Sequence, residues 1–316
     1  MLAIIRKELA DHFNSVRFLV LFLLVLVASG LGLYAASQGI RDALQQSQAV
    51  TQNGFVFLSL FTSYLSDIPV VPLAIAIIIP LTGIVLGFDA INSERTSGTL
   101  SRLLTQPVYR DSVINGKFLA GLVTMSMMIG TAILLIAGYG LRMIGVPPTA
   151  EEIIRLFLYG FVTLIYGAFW LGLAMLFSVV FRRSAGSLLV PIVIFVIFFL
   201  FWVFLPFGQA IAEAASPVIP GTDVATQIDA AETQQTILRL SPSFLFQEAY
   251  GVILSPRVAG LGILKISDLD FILPNALSLG QSLLAIWPHL VGIICLSVIC
   301  FAASYIVFMR QEVRAT

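Results

Sequence analysis

Six stretches of this chain run for more than twenty residues without an Asp, Glu, Lys or Arg, and each is apolar enough to cross a bilayer. They are Phe18–Ile40, Ile68–Phe88, Phe118–Leu141, Leu156–Phe181, Ser184–Ala212 and the latter part of Phe271–Met309, at about 283–309. A helix needs about 20 residues to span the hydrocarbon core, and one charge at its centre costs roughly 2.5–3.5 kcal/mol on insertion scales. Only 11% of the 316 residues are charged, against about 25% in an average soluble domain, so a soluble surface of this size could not be covered. The expected fold is therefore an all-α membrane protein with six transmembrane helices. Pro80 and Pro191 fall inside spans, where a kink is tolerated if neighbours satisfy the freed carbonyl. A seventh charge-free window, Ala43–Ser66, opens too polar for lipid, and its second half (55–65) reads as an interfacial or re-entrant helix. The net charge of zero gives no reason to expect nucleic acid as a partner.

Lys and Arg set the orientation. With the N-terminus inside, the cytoplasmic pieces hold eleven of them and the longer outer pieces six, so both termini are expected in the cytoplasm, in a multi-pass cell (inner or plasma) membrane protein. A cleaved signal peptide fits poorly, because the apolar run from Phe18 is too long and acidic Glu8 and Asp11 precede it. Residues 1–16 read instead as a helix lying on the membrane. Leu2, Ile5, Leu9 and Phe13 share one stripe, Lys7, Glu8, Asp11 and Asn14 take the opposite face, and His12 sits at the edge as a solvated flank.

Common catalytic signatures are missing. The chain contains no GxxxxGK[ST] phosphate loop, HExxH, CxxC or GxSxG, so it is not expected to be an enzyme or to bind ATP, another cofactor or a metal itself. Cys295 and Cys300 match no redox spacing and read as packing residues. His289, beside Trp287 near the outer end of the last span, reads as an interfacial anchor rather than a proton relay. The spans carry no ionisable residue of the kind that ion-coupled transporters bury, so any energy must come from outside the bilayer.

Between the second and third windows lies an island, residues 88–117, with seven charges: Asp89, Glu94, Arg95, Arg102, Arg110, Asp111 and Lys117. A plain turn would need about six residues. The stretch "AINSERTSGTLSRLLTQP" reads as two short helices: Gly98 breaks the first, Thr99 caps the second and Pro107 ends it. Leu100, Leu103 and Leu104 then form an exposed apolar stripe, which suggests a docking surface; a solvated loop resting on headgroups is the competing reading.

The pattern "GFDAINSERTSGTLSRLLTQPVYRDSVINGKFLAG" strongly resembles the ABC type-2 export permeases. That family typically shows an acidic residue, then Gly-Thr-Leu, a Leu-Leu pair, a Pro, a basic residue and Gly-Lys before the third span. Here these are Glu94, Gly98–Thr99–Leu100, Leu103–Leu104, Pro107, Arg110 and Gly116–Lys117. "IIRKELADHF" and "LSPSFLFQEAYGVILSP" (240–256) resemble the family's N-terminal amphipathic helix and the segment before its last span. The subgroup looks like the one that includes the nitrous-oxide-reductase maturation permease, although about 76 residues (207–282) between spans five and six exceed what compact members have.

The resemblance implies one single-domain permease subunit over residues 1–316, with a cytoplasmic coupling helix in 88–117 and a large extracytoplasmic segment in 207–282. Two permeases, as a homodimer or heterodimer, would sit on two copies of a separate ATPase that binds the ATP and Mg. On this implication Glu94 and Arg95 orient the ATPase contact, the leucine stripe fills its groove, and Gly98 lets the chain turn close against it. Thr99 as a mere cap and Arg110 as a headgroup contact are the plainer alternatives, and Lys117 closes the motif. The complex would move a substrate from the cytoplasm or inner leaflet outward. The alternative is a mechanotransmission subunit that passes ATPase motion to an extracytoplasmic partner. In 207–282 the first part reads as solvated loop or short helices. In the second, Phe244, Leu245, Ala249 and Val252 share a face, and Phe244 and Glu248 are candidates for an outer gate. If that helix dips into the outer leaflet, Glu248 must be paired or wetted.

Overall fold

A computed structural model of the chain describes residues 1–45, 57–62, 64–65, 68–98, 109–145, 147–199, 207–217, 224–255 and 277–311. Twelve helices are described: α1 Leu2–Phe13, α2 Val16–Gln45, α3 Ser59–Thr62, α4 Val70–Gly87, α5 Asn92–Thr96, α6 Arg110–Ile144, α7 Ala150–Val180, α8 Ser184–Val196, α9 Phe207–Ala215, α10 Val224–Leu238, α11 Pro242–Leu254 and α12 Leu279–Arg310. The one extended element among the described residues is a two-residue antiparallel pair, Tyr64–Leu65 against Ile68–Pro69.

The long helices are bounded by local chemistry. At α7, the Thr149 hydroxyl accepts from the Glu152 N–H while the Glu152 carboxylate accepts from the Thr149 N–H, a reciprocal capping box. Ser278 and Gln281 repeat it at α12. Gly145, at φ +73°, closes α6 in the left-handed region that glycine tolerates best.

Five helical stretches are long and apolar enough to cross a membrane: Val16–Gln38, Val71–Thr96, Arg110–Arg142, Ala150–Val180 and Leu279–Arg310. The expected fifth window is shorter than the sequence suggested. Its helix runs from Ser184 to Phe199, ending in a π turn, about 24 Å at 1.5 Å per residue, and α9 starts only at Phe207. Charge-free windows also underestimate the helices. Arg110 and Lys117 lie within α6 and Arg155 within α7, because a helix continues through a charge whose partners it can reach.

α7 forms the centre of the bundle and packs on α4, α6, α8, α11 and α12. The α4–α7 crossing is close because Gly83 and Gly87, four residues apart, face it; a Cβ at either would lie 2.9 Å from the Leu171 backbone. A dense aromatic core surrounds the crossing, with Trp170 ringed edge-on by Tyr166, Phe169 and Phe195. Of the 55–65 segment, the described helix is the single turn α3; Phe57, Leu58, Leu60 and Phe61 are buried, and the Phe57 N–H donates to Glu152 at 2.8 Å.

α1 is turned differently from the expectation. Ile4 and Glu8 are its buried residues, set against α6 where Gly116 leaves room for Ile4, whereas Leu2 and Phe13 are exposed. Ile5 and Leu9 of the expected stripe are half-buried, and Glu8, read as solvated, is inside because the Lys117 ammonium lies beside it there.

Candidate functional site

The first half of the island is built as a knot. After α4 the chain turns through Phe88–Ile91 and forms α5 over Asn92–Thr96. The hydroxyls of Ser93, Thr96 and Ser97 fold back onto carbonyls of Asp89, Asn92 and Ser93. Gly98 then takes φ +68°, and its N–H donates to the Arg95 carbonyl. A Cβ at Gly98 would meet nothing within 4 Å, so the need for glycine there is conformational.

Six helices are bonded to this short segment. Arg17 of α2 pairs with Asp89, its guanidinium 5.1 Å from the Phe88 ring centroid. Ser178, near the end of α7, accepts from the N–H groups of Ile91 and Asn92 at 3.0 and 3.3 Å. Ser187 of α8 accepts from the Asn92 side chain at 3.0 Å and donates to the Phe88 carbonyl at 2.7 Å. Lys117 of α6 reaches Glu94 at 2.9 Å and Glu8 of α1 at 2.8 Å. Gln311, which caps α12, accepts from Arg95 on its side chain and from Arg110 on its carbonyl at 2.8 Å, and donates to Val179 at 2.9 Å. Arg110 also covers the Phe308 ring at 5.5 Å. Both ends of the described chain therefore meet at the island.

The electrostatics favour a locked arrangement. The Lys117 side chain is 6% exposed and bridges two carboxylates, while Lys7 lies 3.5–3.7 Å from Glu8, Glu94 and Asp11 at the rim. Burial alone would raise the Glu8 carboxyl, but Lys117, with help from Lys7 and His12, holds it below its ordinary value. His12 is pushed below its ordinary value by burial, reinforced by Lys117 and opposed by Glu8, Asp11 and Asp89; it is half-buried rather than a solvated flank. A polar cleft of about 420 Å³ opens between α1 and residues 85–97, with Asp11, His12, Arg17 and Asp89 among its lining residues.

Of the island residues singled out in the sequence, Glu94, Arg95, Arg110 and Lys117 meet in this knot and Gly98 closes it. Thr99, Leu100, Leu103, Leu104 and Pro107, the capping residue, stripe and stop of the expected coupling helix, lie outside the described residues. Glu94 is buried and turned toward Lys117; Arg95 and Arg110 are half-exposed. Sequence reasoning missed Glu8, Asn92, Ser178, Ser187 and Gln311. The last had a readable signal, a polar side chain directly after a span that ends in Arg310.

At the opposite end α11 lies against α7. Arg155 donates to the Ile253 carbonyl at 3.2 Å, the Tyr159 and Tyr250 rings meet edge-on at 6.4 Å, and Tyr166 stacks on Phe246 at 4.3 Å while bonding Ser243 at 2.9 Å. α11 therefore descends from the start of α7 to its midpoint, dipping beside the spans. Of the residues expected to share a face, Leu245, Ala249 and Val252 are buried and Phe244 only partly so, while Phe246, outside that set, is fully buried. Glu248 accepts from Arg239 at 2.8 and 3.3 Å and meets His289 Nε2 at 2.7 Å. His289 is 3% exposed. It is not the interfacial anchor expected of it, because Glu248 draws it inward while Trp287 stays exposed.

The family model described as ABC-2 family transporter protein matches residues 2–313 of the chain. No curated protein matches it.

Proposed function

Because this chain belongs to the ABC-2 transporter family, we propose that it is the membrane-spanning permease subunit of an ATP-binding-cassette exporter, driven by separate ATPase subunits. The family's membrane component is not itself catalytic, and ATP and Mg are assigned to the partner. The observation that carries the reading is the knot around α5, where a push on the short segment 88–96 meets bonds to α1, α2, α6, α7, α8 and α12. In this reading the ATPase grips residues 99–108, immediately beyond Gly98, and closure of its nucleotide sites pushes α5. The bundle responds as a unit because its helices are bonded to that segment.

The finer assignments follow from the same reading. The island end, with both termini, faces the ATP-bearing compartment, and the helix from Ser184 to Phe199 makes a sixth crossing. Parity supports this, since an odd number of crossings would leave the termini on opposite sides. The complex is a permease dimer, homomeric or heteromeric, on two ATPases in the cell membrane, moving substrate outward. Its relatives within the family are the permeases related to nitrous-oxide-reductase maturation. α11, with Phe244 and Glu248, forms the outer gate. A second reading, transmission of ATPase motion to an outer partner, draws on α9 and α10, a helical pair joined by Gln234 to the Ser216 carbonyl at 2.6 Å. Single cysteines at Ser101 and at exposed Asp229, with Cys295 and Cys300 removed, test the orientation. Impermeant maleimide on intact cells should label position 229 alone, and labelling at 101 would overturn the reading.

A further inference from the structure

We infer that α12 is the strut that carries motion from the island to α11; the inference rests on the ATPase-driven reading above. Its inner end is gripped at Gln311, which takes Arg95 on its side chain and Arg110 on its carbonyl. Its outer end is gripped at His289, whose Nε2 lies 2.7 Å from Glu248 of α11, both side chains 4% exposed. His289 Nδ1 has no partner among the described residues, so the Glu248 bond is the polar link through which this histidine holds α11.

The rod between the grips is continuous. From His289 to Gln311 the helix holds no proline, a length of about 33 Å at 1.5 Å per residue. The one proline in α12 is Pro288, just beyond the outer grip, so the backbone bond it removes, and any bend there, fall outside the gripped stretch.

Enclosure decides which helix is free to move. α7 also touches both ends, through Ser178 below and Tyr166 above. It is the most buried of the five span-length helices and α12 the least. α7 is held from several sides, whereas α12 leaves most of its surface uncovered: it buries Ile286, Ile293 and Phe308 in the core, takes a bond from Arg155 of α7 on Ser282, and meets α7 in its middle along a seam of small residues. A Cβ at Gly172 would lie 3.6–3.7 Å from the Phe301 nitrogen, the Ser297 carbonyl and Cys300, and the Ser297 hydroxyl touches the Ile165 carbonyl at 3.4 Å. Such a seam brings the two backbones close. Gln311 and His289 are accordingly positioning residues, acting on α11 through the length of α12.

The test uses the complex purified with its ATPase through a tag on this chain, with Cys295 and Cys300 replaced and a cysteine at exposed Gln247 on α11. The maleimide labelling rate is compared with and without ATP plus vanadate, and bound ATPase is measured in each preparation. The background protein should change its rate on trapping. Gln311→Ala and His289→Leu should each lose that change, the double variant should lose no more, and His289→Gln, which can still donate to Glu248, should retain it. Persistence of the change in both Gln311→Ala and His289→Leu would overturn the strut and assign the path to α7. A background complex that hydrolyses ATP without any change at position 247 would also overturn the strut, whereas a background preparation that carries no ATPase would overturn the ATPase-driven reading instead.

Discussion

The Lys117 ammonium lies 2.9 Å from Glu94 and 2.8 Å from Glu8, so one buried cation joins the helix inside the island to the N-terminal helix. Removing one partner of a buried pair costs about 3–5 kcal/mol, because the remaining charge is stranded. Lys117→Met would leave two carboxylates with only the rim ammonium of Lys7, 3.5 and 3.6 Å away, to offset them. We expect it to lower stability by about that amount and to loosen α1, read as a lower thermal midpoint and early proteolysis of residues 1–16 in detergent.

Acid should loosen α1 in two stages. The docked His12 is held below its ordinary 6.5, so its contribution is complete above that value and is lost as pH falls below it. The docked Glu8 is held below its ordinary 4.5, so its contribution is lost only as pH falls further, from 4.5 through the docked value. A spin-label distance between exposed positions Ala10 and Ser93 should therefore broaden first below 6.5 and again below 4.5. His12→Gln should erase the first stage and leave the second.

The helix crossing at the centre of the bundle should tolerate no side chain. Gly87→Val would set its Cβ 2.9 Å from both the Leu171 carbonyl and the Ala174 Cβ, and overpacking of this kind typically costs about 1–3 kcal/mol. Gly130→Ala, whose Cβ meets nothing within 4 Å, should instead be neutral or stabilise by about 0.5–1 kcal/mol. Thermal unfolding of the two purified variants checks the pair.

Gly98 offers a purely conformational test. Its φ of +68° costs roughly 1–2 kcal/mol for most residues but little for Asn, whose side chain can bond locally. Gly98→Val should keep the ATPase bound while weakening the link between hydrolysis and movement at Gln247, and Gly98→Asn should preserve that link. Equal behaviour of the two would remove the role given to the turn.

What could be read from the sequence was whatever has a period or a charge gap. Phe118–Leu141 and Leu156–Phe181 located α6 and α7, and Gly98 announced the end of α5, because hydropathy and φ preference are local properties. Partnerships are not local. Nothing near Ser178 says that it receives two backbone N–H groups from residues 87 and 86 positions earlier, and Glu8 looks solvated until α6 brings Lys117 beside it. His289 misled for the same reason: Trp287 next to it is an interfacial residue, yet the histidine turns toward a carboxylate 41 positions back. The Gly83–Gly87 spacing was readable as a close-packing pair but lay within a window valued only for its hydropathy.

The most direct test of the central claim is recovery of an ABC ATPase with this chain, tagged and purified from its native membrane. The unaltered protein should bring down one ATPase in equal amount. Leu103→Glu with Leu104→Glu should insert normally and bring down none, whereas Arg239→Gln, at the opposite end of the bundle, should bring down as much as the unaltered chain. Undiminished ATPase on the double variant, or none on the unaltered chain, would contradict the account.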